Sequence, residues 1–196
     1  MKRTRILITV LAAAALLILT SQAQERSKEK DTKMPAGFRG EFLAQLGDVE
    51  KKIVDLAQAV PGEKYSWRPA EGVRSVSEVY MHIAVANYLL MSFIGIKPPE
   101  GIRDQEKTVT EKAKVVEMLK KSFDHVRNAA MKTADADLDK PATFFGQETT
   151  VRGIFFNAAL HMHEHMGQSI AYARSNGVVP PWTMAQQASE QQGTKK

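Results

Sequence analysis

A chain of 196 residues, 43% apolar and 25% charged, has the makeup of a folded protein with one sizeable core. No long run of charge interrupts it, which excludes wholesale disorder. There is no cysteine, which excludes disulfides, thiolate nucleophiles, Cys-based zinc sites and lipid attachment through an N-terminal cysteine.

Residues 1–23 read as a secretory signal. Lys2, Arg3 and Arg5 precede an apolar stretch from Ile6 to Leu19, and Ser21-Gln22-Ala23 places small residues where a signal peptidase cuts. The apolar run is short for a membrane span, which needs roughly 20 residues. Cleavage after Ala23 is therefore expected, with no stable membrane anchor afterwards and a periplasmic or secreted destination. Removing the three basic residues of this segment lowers the formal net charge from +5 to +2. A nearly neutral mature chain carries no electrostatic footprint for nucleic acid.

Residues 24–36 are polar and read as a flexible linker. Four helical patterns follow. From Phe38 to Val60, the residues Phe42, Leu46, Val49, Ile53, Leu56 and Val60 recur at steps of three and four, and Pro61-Gly62 ends the run. The second helix starts at Ser75, where Ser75 and Glu78 form a capping box. Its stripe is Val79, Ile83, Ala86, Leu90 and Phe93, closed by Gly95 and Pro98-Pro99. The third, about Thr110 to Lys132, carries Val115, Leu119, Phe123, Val126 and Ala130. The fourth, about Thr149 to Asn176, has Gly177 as a C-cap and Pro180-Pro181 beyond it. Nothing longer than a residue pair reads as a strand. The expected fold is all-α, an up-down four-helix bundle over residues 37–182, with a flexible polar tail at 183–196.

His161 and His165 lie one turn apart on the core-facing side of the fourth helix, with Ile154, Ala158, Ser169 and Tyr172. His82 flanks the stripe of the second helix, from which it can reach the same point across the core. Spacing leaves two readings open: hydrogen-bonded core imidazoles, or three ligands of one ion with coordination positions left free. Glu78, Asn157 and Gln168 lie one turn from these histidines and could orient them. His163 lies roughly 200° around the helix from His161, and His125 sits among Lys121, Asp124 and Asn128. Both are expected at the surface. The methionines near His161 read as core filler.

Two stretches resemble the DinB/YfiT-like superfamily of metal-dependent four-helix proteins. One is YSWRPAEGVRSVSEVYMHIAVANYLL, Tyr65 to Leu90; the other is TTVRGIFFNAALHMHEHMGQSIAYARSNGVVPPW, Thr149 to Trp182. The resemblance implies a divalent ion, zinc or nickel, on His82, His161 and His165. Family members often read H-x-x-H-H-R-G-Q where this chain reads HMHEHMGQ, so Met166 replaces a common arginine and the extra histidine is displaced to His163. The function expected of such a metal site is that of a metal-dependent hydrolase using metal-activated water, with a small-molecule substrate and homodimerisation open to it. The alternatives are a thiol-dependent S-transferase, which export disfavours because such thiols are concentrated in the cytosol, and a non-catalytic metal- or ligand-binding module.

Overall fold

The computed structural model describes residues 34–193; the expected signal segment and most of the expected linker lie outside them. Six helices and a hairpin follow in order: α1 (Gly37–Ala59), α2 (Val76–Ser92), α3 (Gln105–Thr108), α4 (Lys112–Lys132), β1 (Pro141–Phe144), β2 (Gln147–Thr150), α5 (Val151–Ser175) and α6 (Pro181–Gly193). The four long helices match the four patterns in the sequence, and the sequence stripes of α1 and α4 are buried throughout.

Around the bundle, α2 packs against α4 and α5, and α1 packs against the same two helices. The first and second long helices thus take one diagonal, and the third and fourth the other. Local periodicity identifies a helix's buried face but not its neighbour, so this arrangement is a tertiary result. It sets the His82-bearing helix directly beside the one bearing His161 and His165. Apolar burial holds it there: Met81, Ile83, Met91, Phe123, Ile154 and Met162 are all fully buried. Burial on α2 extends well past the predicted stripe, to Tyr80, Met81, Val85 and Met91, because it is enclosed on several sides.

The ends of the helices are fixed by local chemistry. Ser75 accepts from the Glu78 backbone N–H at 3.3 Å and the Glu78 carboxylate accepts from the Ser75 N–H at 2.6 Å, the expected capping box. The Glu111 side chain accepts from the Ala113 and Lys114 N–H groups to start α4. Lys112 then donates to the Gln58 and Val60 carbonyls at 2.7 and 2.8 Å, satisfying oxygens at the end of α1. Gly177, at φ +74°, closes α5 in a Schellman arrangement, with Val178 N–H on the Ala173 carbonyl and Gly177 N–H on that of Arg174.

Two segments differ from the sequence reading. Residues 141–150, read there as loop and helix start, form an antiparallel hairpin with Phe144 paired to Gln147 across a two-residue turn. Its strands are four residues long, too short to show alternation above noise. The tail expected to be loose is helical as far as Gly193, in α6, which rests on α1 and has a half-buried Trp182 in its first turn. No described helix is long and apolar enough to cross a membrane.

Phe123 lies on α4 with no exposed surface. Phe123→Ala should lower unfolding free energy by about 3–5 kcal/mol, read as a reduced urea midpoint with an unchanged slope.

Candidate metal centre

His82 sits two turns into the capped α2, and His161 and His165 occupy successive turns of α5. The packing of these two helices brings the three rings together. Their centroids are 5.0 Å apart for His82–His161, 4.7 Å for His82–His165 and 4.5 Å for His161–His165. One potential ligand atom from each lies within 4.8 Å of the other two. Among the described residues this is the one such cluster of histidine and acidic groups.

Hydrogen bonds orient two of the rings. His82 Nδ1 donates to Glu106 Oε2 at 3.0 Å, and Arg74 Nε holds the other carboxylate oxygen at 2.7 Å. His165 Nδ1 donates to Gln168 Oε1 at 2.8 Å; the Gln168 amide donates to the Tyr172 hydroxyl, which donates to the Arg74 carbonyl, both at 3.2 Å. With Nδ1 donating, an imidazole in its neutral form carries its lone pair on Nε2. His161 Nε2 lies 3.1 Å from His82 Nε2, and His161 Nδ1 is buried without a partner. Imidazole nitrogens facing each other across so small a gap need a proton or a cation between them. The donor set therefore fits a metal ion, and the three histidines could hold one.

The electrostatics agree. Burial pushes His161 down to about 4, helped by the positive charge that His165 and His82 would bring. Burial also lowers His82, against the opposing pull of Glu106. Burial works to raise Glu106, but the hydrogen bonds from His82 and Arg74 outweigh it and keep it below the usual carboxylate range. At neutral pH the site is two neutral imidazoles backed by a carboxylate, with a third ring, His165, beside them.

Of the three residues expected to orient the histidines, only Gln168 touches one. Glu78 is turned to Ser75 and to Arg68, 3.1 Å away. Asn157 donates to the Gly153 carbonyl at 2.8 Å and lines the cavity beside His82 and His161. Glu106 and Arg74 do the orienting at His82. Glu106 escapes the sequence reading because α3 is a single turn without periodicity, 24 residues from the ring it serves. Its place is fixed by the buried Ile102 just before it. His163 stays outside the cluster, as expected, though half-buried with Nδ1 on the Ala159 carbonyl at 2.8 Å. His125, also expected at the surface, is half-buried: its ring packs 4.7 Å from Tyr88 and its Nε2 is covered.

Beside His82 and His161 opens a cavity of about 560 Å³, walled by residues of α2, α5 and the hairpin. A cavity of this size suits a small molecule.

In this helical bundle three imidazoles converge, two of them lining an open cavity, and the three could hold a metal ion. The chain belongs to the DinB superfamily, whose model matches residues 45–169. Its fold is similar to that of a DinB-like protein from Bacillus cereus, at 21% identity and a TM-score of 0.65, covering 71% of this chain and 93% of that one. It is also similar to the DinB-like protein YjoA from Bacillus subtilis, at 20% identity, a TM-score of 0.58 and the same coverage. No curated protein matches.

Because His161 is depressed in the folded chain, the folded state binds fewer protons than the unfolded state between about pH 4 and 6.5. This contribution is complete above the unfolded value and is lost as pH falls through that window. Metal-free protein should therefore lose stability on acidification from pH 6.5 to 4, and His161→Gln should flatten the slope, measured by urea unfolding across the range.

Proposed function

We propose that this chain is an exported metal-dependent hydrolase in which His82, His161 and His165 hold one divalent ion, zinc or nickel. The observation that carries this reading is the approach of three imidazoles from two helices beside an open cavity. Three histidines leave coordination positions free, the arrangement of catalytic rather than structural sites. Nitrogen donors without thiolate or carboxylate suit zinc and nickel better than magnesium or calcium. Export is supported by the signal pattern of residues 1–23.

When bound, such an ion acts as a Lewis acid and makes water a competent nucleophile near neutral pH. The chain's own residues supply the rest. Glu106 fixes the tautomer of His82 and Gln168 that of His165, so that both present Nε2 inward. Glu106 is already engaged by Arg74 and His82, so its role is positioning rather than proton transfer. The apolar cavity wall excludes water from one side of the substrate, which strengthens the electrostatics at the histidines.

Elemental analysis of purified protein should find about one zinc or nickel per chain, and His82→Ala should lose it while remaining folded. Hydrolysis of an ester, amide or phosphoester from a broad panel should vanish in His161→Ala; equal activity in that variant would reject catalysis at this site. Gln168→Leu should weaken metal affinity about 10–100-fold in chelator competition. The exported form should begin at Gln24 on N-terminal sequencing.

A further inference from the structure

The hairpin turn breaks a local rule. A two-residue turn of this kind needs positive φ at both central positions and ordinarily uses Asn-Gly. Here the pair is Phe145-Gly146, at φ +47° and +82°. A bulky side chain is disfavoured in that conformation, and Phe145 is 78% exposed, so folding gains little from its ring. Backbone preference and solvation both oppose phenylalanine here.

The ring is nevertheless part of a cluster. Phe93, Phe144 and Phe145 lie 4.6–5.2 Å apart by centroid. Together with Val85, Leu89 and Leu160 they form one wall of the cavity that ends at His82 and His161. The charged groups around it are of both signs: Arg103 and Glu164 both line the cavity, and Glu106 is held by Arg74 and His82.

We propose that this wall is a specificity subsite for the uncharged apolar body of the substrate, an aryl or medium-length acyl group, with the polar end at the histidines. The inference rests on the reading that this cavity is the substrate site. Phe145 supplies the outer edge of the subsite, which accounts for an aromatic residue at a position suited to asparagine. A rim of both signs gives no preference for an anionic or cationic body, so apolar area sets the selectivity.

The test is an NMR titration of metal-free protein with 4-phenylbutyramide and with acetamide. The phenyl compound should bind about tenfold or more tightly than acetamide, with amide shifts centred on residues 85–93, 143–147 and 157–164. Leu160→Asp and Phe145→Asn should each weaken it by about tenfold. Leu160 is 53% exposed and asparagine tolerates positive φ, so both variants should unfold as cooperatively as the parent chain. Equal affinities for the two amides, shifts elsewhere, or unchanged binding in both variants would overturn the proposal. So would conversion of a dimer to a monomer by Leu160→Asp with phenylbutyramide affinity intact, since the exposed apolar residues would then serve a second copy. Probe binding without metal uptake in elemental analysis would sink the hydrolase reading and leave the subsite; metal uptake without probe binding would do the reverse.

Discussion

Gln168 and Glu106 each accept a hydrogen bond from Nδ1 of one imidazole, and the chemistry of the centre depends on that pair of hydrogen bonds. An imidazole offers a lone pair on only one nitrogen at a time, and the partner of the other nitrogen decides which. With Nδ1 of His82 and His165 committed outward, their Nε2 atoms face the interior gap shared with His161. Remove either acceptor and the ring can turn, or take the tautomer that directs an N–H into the gap. The bundle supplies the distance between the helices; these two acceptors supply the direction.

The arrangement costs stability. Nδ1 of His161 is buried without a partner, and burial opposes positive charge on His161 and His82. A buried polar atom left unsatisfied is worth about 1–3 kcal/mol. The rest of the fold offsets this: closely packed apolar side chains on both sides of α2, capped helix starts, and the lysine bridge from α4 to the end of α1. The same enclosure that penalises charge on His161 and His82 favours their neutral form, the state that can ligate a metal.

Much of this was legible in the residues, for identifiable reasons. The four long helices declare themselves through three- and four-residue spacing, and the Ser75–Glu78 box and Gly177 mark ends because capping is local chemistry. The histidine trio shows in the one-turn spacing of His161 and His165 and in the position of His82 on its helix, and the family resemblance points to the same three residues. What failed to show depends on distant partners. Glu106 finds His82 only because Ile102 anchors an irregular excursion. His125, flanked by polar residues one turn away, is covered by Tyr88 from another helix. The hairpin strands have weak patterns and pair with each other across a Phe-Gly turn that sequence rules do not favour. Which helices become neighbours is likewise a property of the whole core.

The central claim is that the three imidazoles share one ion through their inward nitrogens. Anomalous diffraction from crystals grown with zinc, recorded on both sides of the zinc edge, tests it directly. A single edge-dependent peak within bonding distance of Nε2 of His82, His161 and His165 is the predicted result. A peak that excludes His82, or a metal bound elsewhere with the three rings unliganded, would contradict it.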